Sequence, residues 1–237
     1  MFTVVVIPCY NEEKRLDKDL FSSFMSAHPE IAFYFVDDGS RDGTNEILRE
    51  LIRQGSARLL SLPENSGKAE AVRQGMLQAY RDYPEAELIG FWDADLATPL
   101  EEILRFQTLW KEDSLILMGT RHKHLGSDIT RKVIRHGLGR IFATAAALHL
   151  KLPVYDTQCG AKLFSRELIP QLMERKFVTR WFFDVEILRR FIKIYGRSTV
   201  EKRVTEIALQ KWTDIGKSKV NLFRSMIDFI KLLLTKD

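Results

Sequence analysis

Through the first half of the chain, short runs of β-branched, aliphatic and aromatic residues alternate with longer segments in which polar positions interrupt the apolar ones. The runs at residues 3–7, 33–36, 58–61, 88–92 and 115–119 read as strands. Between them, apolar residues return at three- and four-residue spacing, which predicts helices over 12–27, 43–54, 68–81 and 99–110. Strand–helix alternation of this kind predicts an α/β fold with a mainly parallel sheet. Ligands of such sheets bind beyond the carboxyl ends of the strands. The second half is less regular. Helices are expected over 130–150 and 184–195, a strand over 200–207, and a final helix over 219–234. In that helix Val220, Phe223, Ile227, Ile230 and Leu234 form one stripe. Leu222, Met226, Phe229 and Leu233 widen it, leaving Arg224, Asp228 and Lys231 a narrow polar side. So broad an apolar face suits an amphipathic helix lying in a membrane surface. Packing on the domain, or on a second copy in a homodimer, would cover it equally well.

Three polar motifs fall where the predicted strands end. After the first strand comes Pro8-Cys9-Tyr10-Asn11-Glu12, after the second Asp37-Asp38-Gly39-Ser40, and after the fourth Asp93-Ala94-Asp95. In an extended stretch residues i and i+2 point the same way, so Asp93 and Asp95 can converge on one cation. Mg²⁺ and Mn²⁺ take one or two carboxylates together with substrate phosphates. Two solvated acids in a turn are the plainer alternative. Asp37 or Asp38 can accept the imide N–H of uracil, and Gly39 permits a tight turn. Ser40 and Asp42 would also serve as caps for the helix near residue 43. Tyr10 can stack on a base, with Asn11 and Glu12 offering acceptors, although Asn11 could equally cap the next helix. Gly67 allows close backbone approach, and Lys68 opens a helix where it can reach phosphate.

Composition narrows the picture. The 237 residues are 45% hydrophobic and 29% charged, a globular balance, with a net charge of +4. Charge is concentrated: residues 121–151 hold seven Lys/Arg against the one acid Asp128, a local net of +6. A patch of this kind attracts phosphate-bearing ligands. The two cysteines build neither a disulfide framework nor a zinc site, and a reducing cytoplasm fits them. No secretory signal is expected from the first residues. No run approaches the ~20 apolar residues of a membrane span. Nucleic-acid binding is disfavoured, because the basic segment lacks interleaved aromatics and the loops at the strand ends are acidic.

The segments PCYNEE, VDDGSRDGT, NSGKAEAVRQG and DADLATP, in this order and spacing, resemble the family 2 inverting glycosyltransferases, whose nucleotide-binding fold is the GT-A three-layer sandwich. YDTQCGAKLF at 155–164 and RWFFDVE at 180–186 resemble the branch that glycosylates polyprenyl phosphates, and within it the dolichyl-phosphate β-glucosyltransferase type. The resemblance implies a divalent metal, Mg²⁺ or Mn²⁺, a UDP-sugar or GDP-mannose donor, and inversion at the anomeric carbon. It implies nucleotide contacts at Pro8, Tyr10, Asn11, Glu12, Asp37, Asp38, Gly67, Lys68 and Asp93, and metal ligation at Asp93 and Asp95. Arg121 falls where the family uses an arginine near phosphate. Arg131 and Arg135, four apart on one helix face, are candidates for the acceptor phosphate. Asp156 and Asp184 are candidates beside the reacting sugar, Asp184 being also a candidate helix cap.

Two departures from the pattern bear on this reading. Ala97 stands where mannosyl members often carry Gln, which favours UDP-glucose. The membrane anchor that precedes the domain in eukaryotic glucosyl members has no counterpart in the sequence. The expectation is one glycosyltransferase domain over 1–217, its nucleotide half at 1–120 and its acceptor half at 121–217, followed by the amphipathic helix at 218–237. It would work at the cytoplasmic face of a membrane as a peripheral protein. GDP-mannose-dependent transfer, transfer to a soluble or glycan acceptor, and a non-catalytic sugar-nucleotide-binding membrane adaptor remain the alternatives. A nucleotidyltransferase would need a glycine-rich basic loop near the N-terminus, where this chain has PCYNEE.

Overall fold

The structure, a computed structural model, describes residues 1–55, 57–130, 133–215 and 227–232, with side chains for all of these except 54 and 133–139. In chain order the elements are β1 (Thr3–Cys9), α1 (Lys18–Ala27), β2 (Ile31–Asp37), α2 (Thr44–Gln54), β3 (Ala57–Ser61), α3 (Lys68–Asp82), β4 (Leu88–Trp92), α4 (Glu101–Leu109), β5 (Ile116–Thr120), β6 (Asp128–Thr130), α5 (Val133–Leu150), β7 (Ala161–Ser165), α6 (Ile169–Met173), α7 (Phe183–Tyr195), α8 (Arg197–Arg203), β8 (Val204–Ala208) and β9 (Lys211–Thr213). They form two compact units: residues 1–96 with 161–176, and residues 97–160 with 177–237.

In the first unit β3, β2, β1 and β4 lie side by side in parallel, and β7 adds an antiparallel strand beside β4. Alternation along β2 sends Phe33 and Phe35 to one face of the sheet and Tyr34 and Val36 to the other. Phe21 of α1 packs edge-on against both phenylalanines, at 5.4 and 5.3 Å between centroids. On the opposite face, Gly75 of α3 brings its backbone against Val6 and Val36, where an added Cβ would stand 2.5 Å from the Val6 side chain. Helices therefore cover both faces, giving the expected three layers. Val4, Val5, Val6, Ile7, Phe33, Phe35 and Phe91 are fully buried between them.

The second unit pairs β5 with β8 and β6 with β9, both in parallel. Two buried glutamates tie its connections. Glu102 of α4 accepts from the Gln210 N–H at 2.8 Å, and Glu186 of α7 accepts from the N–H groups of Val178 and Thr179 at 2.8 and 2.9 Å.

The structure departs from the sequence reading in several places, and β6, α6 and β9 have no counterpart in it. The first helix begins at Lys18 rather than residue 12, because the Asp17 side chain caps it by accepting from Leu20 N–H at 3.0 Å. The expected strand at 200–207 is helical over its first four residues, since α8 starts after Gly196 and buries Val200. β7 goes unpredicted because a lysine interrupts its apolar run; Lys162 is nonetheless 1% exposed, its ammonium 5.2 Å from the Phe91 ring centroid. The final helix is described only over residues 227–232. There Phe229, which the sequence leaves to lipid, to the domain or to a second copy, is buried against Phe142 and Phe182 at 5.4 and 5.0 Å. Arg189 donates to the Leu232 carbonyl at 2.9 Å, while Ile227 and Ile230 stay exposed. Among the described residues no helix is long and apolar enough to cross a membrane.

Candidate active site

The carboxyl ends of β1 and β2 are joined by hydrogen bonds that the motifs themselves supply. Asp38 N–H donates to the Cys9 carbonyl at 2.8 Å. Asn11, held at φ 51°, donates its N–H to Ser40 Oγ at 3.0 Å and accepts from Arg41 N–H at 2.8 Å. It bridges two loops and does not cap α1. Glu12, nearly buried, donates its N–H to Thr44 Oγ1 at 2.7 Å, and its carboxylate accepts from Arg15 at 2.6 Å. Tyr10 lies half-buried beside them, following Pro8 within β1. Burial works against ionisation of Asp42. Hydrogen bonds from the Thr44 hydroxyl and from the N–H groups of Thr44 and Glu13 outweigh it and hold the carboxyl below the ordinary 3.8.

Asp37 and Asp38 are both buried, with distinct tasks. Asp37 accepts from Ser40 N–H at 3.0 Å and from the Asn45 side chain at 2.7 Å. Asp38 receives the N–H groups of Ser66 and Gly67, one on each oxygen, at 2.7 and 2.8 Å. It therefore braces the loop that leads into α3, a role the sequence reading missed. Between them Gly39 adopts φ 65°, and a Cβ there would lie 2.5 Å from the Glu64 carbonyl carbon. Glycine is what lets the two loops approach. Gly67 caps α3 with φ 94°, and Lys68 is the first residue of that helix.

Lys68 places its ammonium on an oxygen of Asp93. Asp93 and Asp95, each half-buried, occupy a turn closed by Leu96 N–H to the Asp93 carbonyl at 3.3 Å, with Leu96 at φ 53°. The segment is thus a turn and not the extended stretch expected. Among the described residues, no group of three or more His, Cys, Asp or Glu is placed to hold a metal. Two carboxylates that need substrate oxygens to complete a coordination shell fit the habit of Mg²⁺ and Mn²⁺. The pair fits a metal carried in with a diphosphate.

In the second unit Arg121 follows β5. It wraps Asp156 with its backbone N–H at 3.1 Å, Nε at 2.7 Å and Nη2 at 2.7 Å. Two parallel guanidinium–carboxylate bonds are a strong, orienting contact. The guanidinium also lies 5.5 Å from the Trp212 ring centroid. Asp184 is buried in the first turn of α7; the cap position belongs to Phe182. Arg131 lies outside the described residues, and Arg135 falls in α5 where side chains are not described. A separate groove of about 580 Å³ runs along one face of α3. Its Arg73 is engaged by Glu70 and by the carbonyls of Met173 and Glu174, and none of the candidate site residues lines it.

A mainly parallel sheet between two helical layers, with nucleotide-type loops and an Asp-x-Asp turn at its carboxyl edge, defines a glycosyltransferase of the GT-A kind. The glycosyl transferase family 2 profile matches residues 4–173, and the chain belongs to that family. It is 30% identical over 255 residues to a dolichyl-phosphate β-glucosyltransferase of Trichomonas vaginalis, covering 99% of this chain and 71% of the relative. To a dolichyl-phosphate β-glucosyltransferase of Homo sapiens it is 33% identical over 250 residues, covering 97% and 73%. Its fold is similar to that of glucosyl-3-phosphoglycerate synthase from Mycobacterium tuberculosis, solved in complex with Mn²⁺, UDP-glucose and phosphoglyceric acid. That match has a TM-score of 0.69 at 16% identity and covers 100% of this chain and 81% of the other.

Proposed function

We propose that this chain transfers a hexose, glucose in preference to mannose, from a nucleoside diphosphate sugar to the phosphate of a polyprenyl lipid. The observation that carries the reading is the Lys68–Asp93 contact beside the Asp38-braced loop. It occurs in a chain about 30% identical, over nearly its whole length, to enzymes named for that reaction. Pro8, Tyr10, Asn11 and Glu12 would line the base and ribose, with Asp37 and Asp38 fixing the loops around them. Gly67 and Lys68 would meet the diphosphate, and Asp93 and Asp95 would hold Mg²⁺ or Mn²⁺. When bound, the ion neutralises charge that builds on the departing diphosphate.

In the transfer itself, an oxygen of the lipid phosphate attacks the anomeric carbon as the bond to the donor diphosphate breaks, inverting the centre. The attacking phosphate is already an anion, so no strong base is needed. Asp156 and Asp184 would then orient sugar hydroxyls, and Arg121, Arg131 and Arg135 would hold the acceptor phosphate. Buried Ala97 offers no side-chain ligand to a metal and supports UDP-glucose as donor. A polyprenyl acceptor brings the enzyme to a membrane surface, which we place on the cytoplasmic side; the +6 segment at 121–151 supports contact with anionic headgroups. The test is a panel of labelled UDP-glucose and GDP-mannose against polyprenyl phosphate in liposomes and against a soluble phosphorylated acceptor. Lipid-borne label from UDP-glucose supports the proposal; label from GDP-mannose only, or only in the soluble product, overturns the donor or the acceptor assignment.

A further inference from the structure

The structure holds an acidic side chain that the proposed chemistry does not use, placed directly behind a residue that it does. Glu206 sits in β8, in register with Met118 of β5. Its carboxylate accepts two successive backbone N–H groups, that of Tyr155 on Oε2 and that of Asp156 on Oε1, each at 2.8 Å. Two oxygens on two consecutive amides fix the orientation of those peptide planes, and hence the direction in which the Asp156 side chain leaves the backbone. Hydrogen bonds to a charged acceptor are the stronger kind. Asp156 in turn receives three bonds from Arg121 and one from Gln158 N–H at 3.2 Å. Tyr155 is fixed independently, its carbonyl accepting from Arg140 at 3.0 Å and its ring lying 4.0 Å from the Arg140 guanidinium and 4.7 Å from the His122 ring. Of the contacts to this two-residue segment, those from Glu206 reach the backbone of Asp156 itself.

We propose that Glu206 is a positioning residue. It sets the Arg121–Asp156 pair for sugar transfer without touching substrate, and the proposal rests on the function assigned above. Glutamate suits the task because both amides need an acceptor; glutamine would turn an N–H₂ toward one of them and keep a single bond. The nucleotide loops belong to the other unit, so the effect should fall on turnover and spare nucleotide affinity.

The experiment is kinetic and spectroscopic. In Glu206→Ala, kcat should fall about tenfold or more while KM for the sugar nucleotide stays within about twofold, with Glu206→Gln between that variant and the wild type. Because Glu206 acts through Asp156, the double variant Glu206→Ala/Asp156→Asn should be no slower than Asp156→Asn alone. Independently of turnover, the Arg121 Nε–H resonance, assigned by its loss in Arg121→Lys, should be protected from exchange in the wild type and lose protection in Glu206→Ala. Additive losses in the double variant, or unchanged kcat and unchanged Arg121 protection in Glu206→Gln, would overturn the proposal. If the alanine variant fails to fold, the glutamine variant carries the test. A wild-type protein that transfers no hexose would remove the assigned function and leave the resonance measurement to decide Glu206.

Discussion

Replacing Asp38 by Asn separates two roles that the sequence leaves joined, direct recognition of the base and support of the phosphate loop. Asp38 is 3% exposed, and its two oxygens accept the Ser66 and Gly67 N–H groups at 2.7 and 2.8 Å. A hydrogen bond to a charged group contributes about 1.5–3 kcal/mol. Asparagine keeps one acceptor and faces the second N–H with its own, so the variant should lose about that amount of stability. For a chain of this size each kcal/mol moves Tm by about 2–4 °C, so melting should drop by about 3–12 °C. The released loop carries Gly67 and Lys68, so affinity should fall for anything bound through its phosphates. The assay is calorimetry of the variant and the wild type with UDP and with inorganic diphosphate, each with Mn²⁺. The account predicts weaker binding of both ligands, by about tenfold, or 1.4 kcal/mol. If UDP binding weakens while diphosphate binding and Tm stay at wild-type values, Asp38 reads the base, and the bracing role is refuted.

Other outcomes follow from the same geometry. Asp93→Ala and Asp95→Ala should each abolish the dependence of UDP affinity on Mn²⁺ with the fold retained; a metal-enhanced affinity that survives in the double variant would contradict ligation there. Arg121→Lys removes the two parallel guanidinium bonds to Asp156, so kcat should fall by about tenfold or more with UDP binding unchanged, a split that steady-state kinetics and calorimetry resolve. Asp42 has its carboxyl held below 3.8, so its contribution to stability is complete above that pH and fades as pH falls through the lowered value. Acid titration of melting should therefore show a shallower loss in Asp42→Asn. Phe229→Ala should lower Tm, since the ring is packed on Phe142 and Phe182; an unchanged Tm with weakened liposome binding would return it to the lipid side.

The parallel strands of the first unit, β1 to β4, and α2 through α4 were legible because local periodicity and burial agree there, and the strand at Leu88–Trp92 has the predicted bounds. The loops carrying Asn11, Asp38, Lys68 and Asp93 were legible as a motif series, since each follows an apolar strand with groups suited to a base, a phosphate or a metal. Their mutual bonds were not. Whether Asp38 faces a base or two amides depends on the path of a loop 28 residues further on. The roles of Glu206 and Glu186 carried no signal, although Glu186 closes the RWFFDVE segment, because each acts on backbone amides distant in sequence or set by a turn, and an acceptor for an N–H can stand anywhere in the chain. The terminal stripe left its cover open for a related reason: its apolar side chains are plain, but sequence does not say whether lipid or Phe142 covers Phe229.

The central claim is hexose transfer to a lipid phosphate, and the product states it most directly. Purified protein, UDP-glucose, Mn²⁺ and liposomes containing a polyprenyl phosphate should yield one new lipid. Its mass should be that of the acceptor plus one hexosyl unit, and its anomeric proton should report a β linkage from the α-linked donor. Release of free glucose with no lipid product, or an α-linked lipid, would contradict the account.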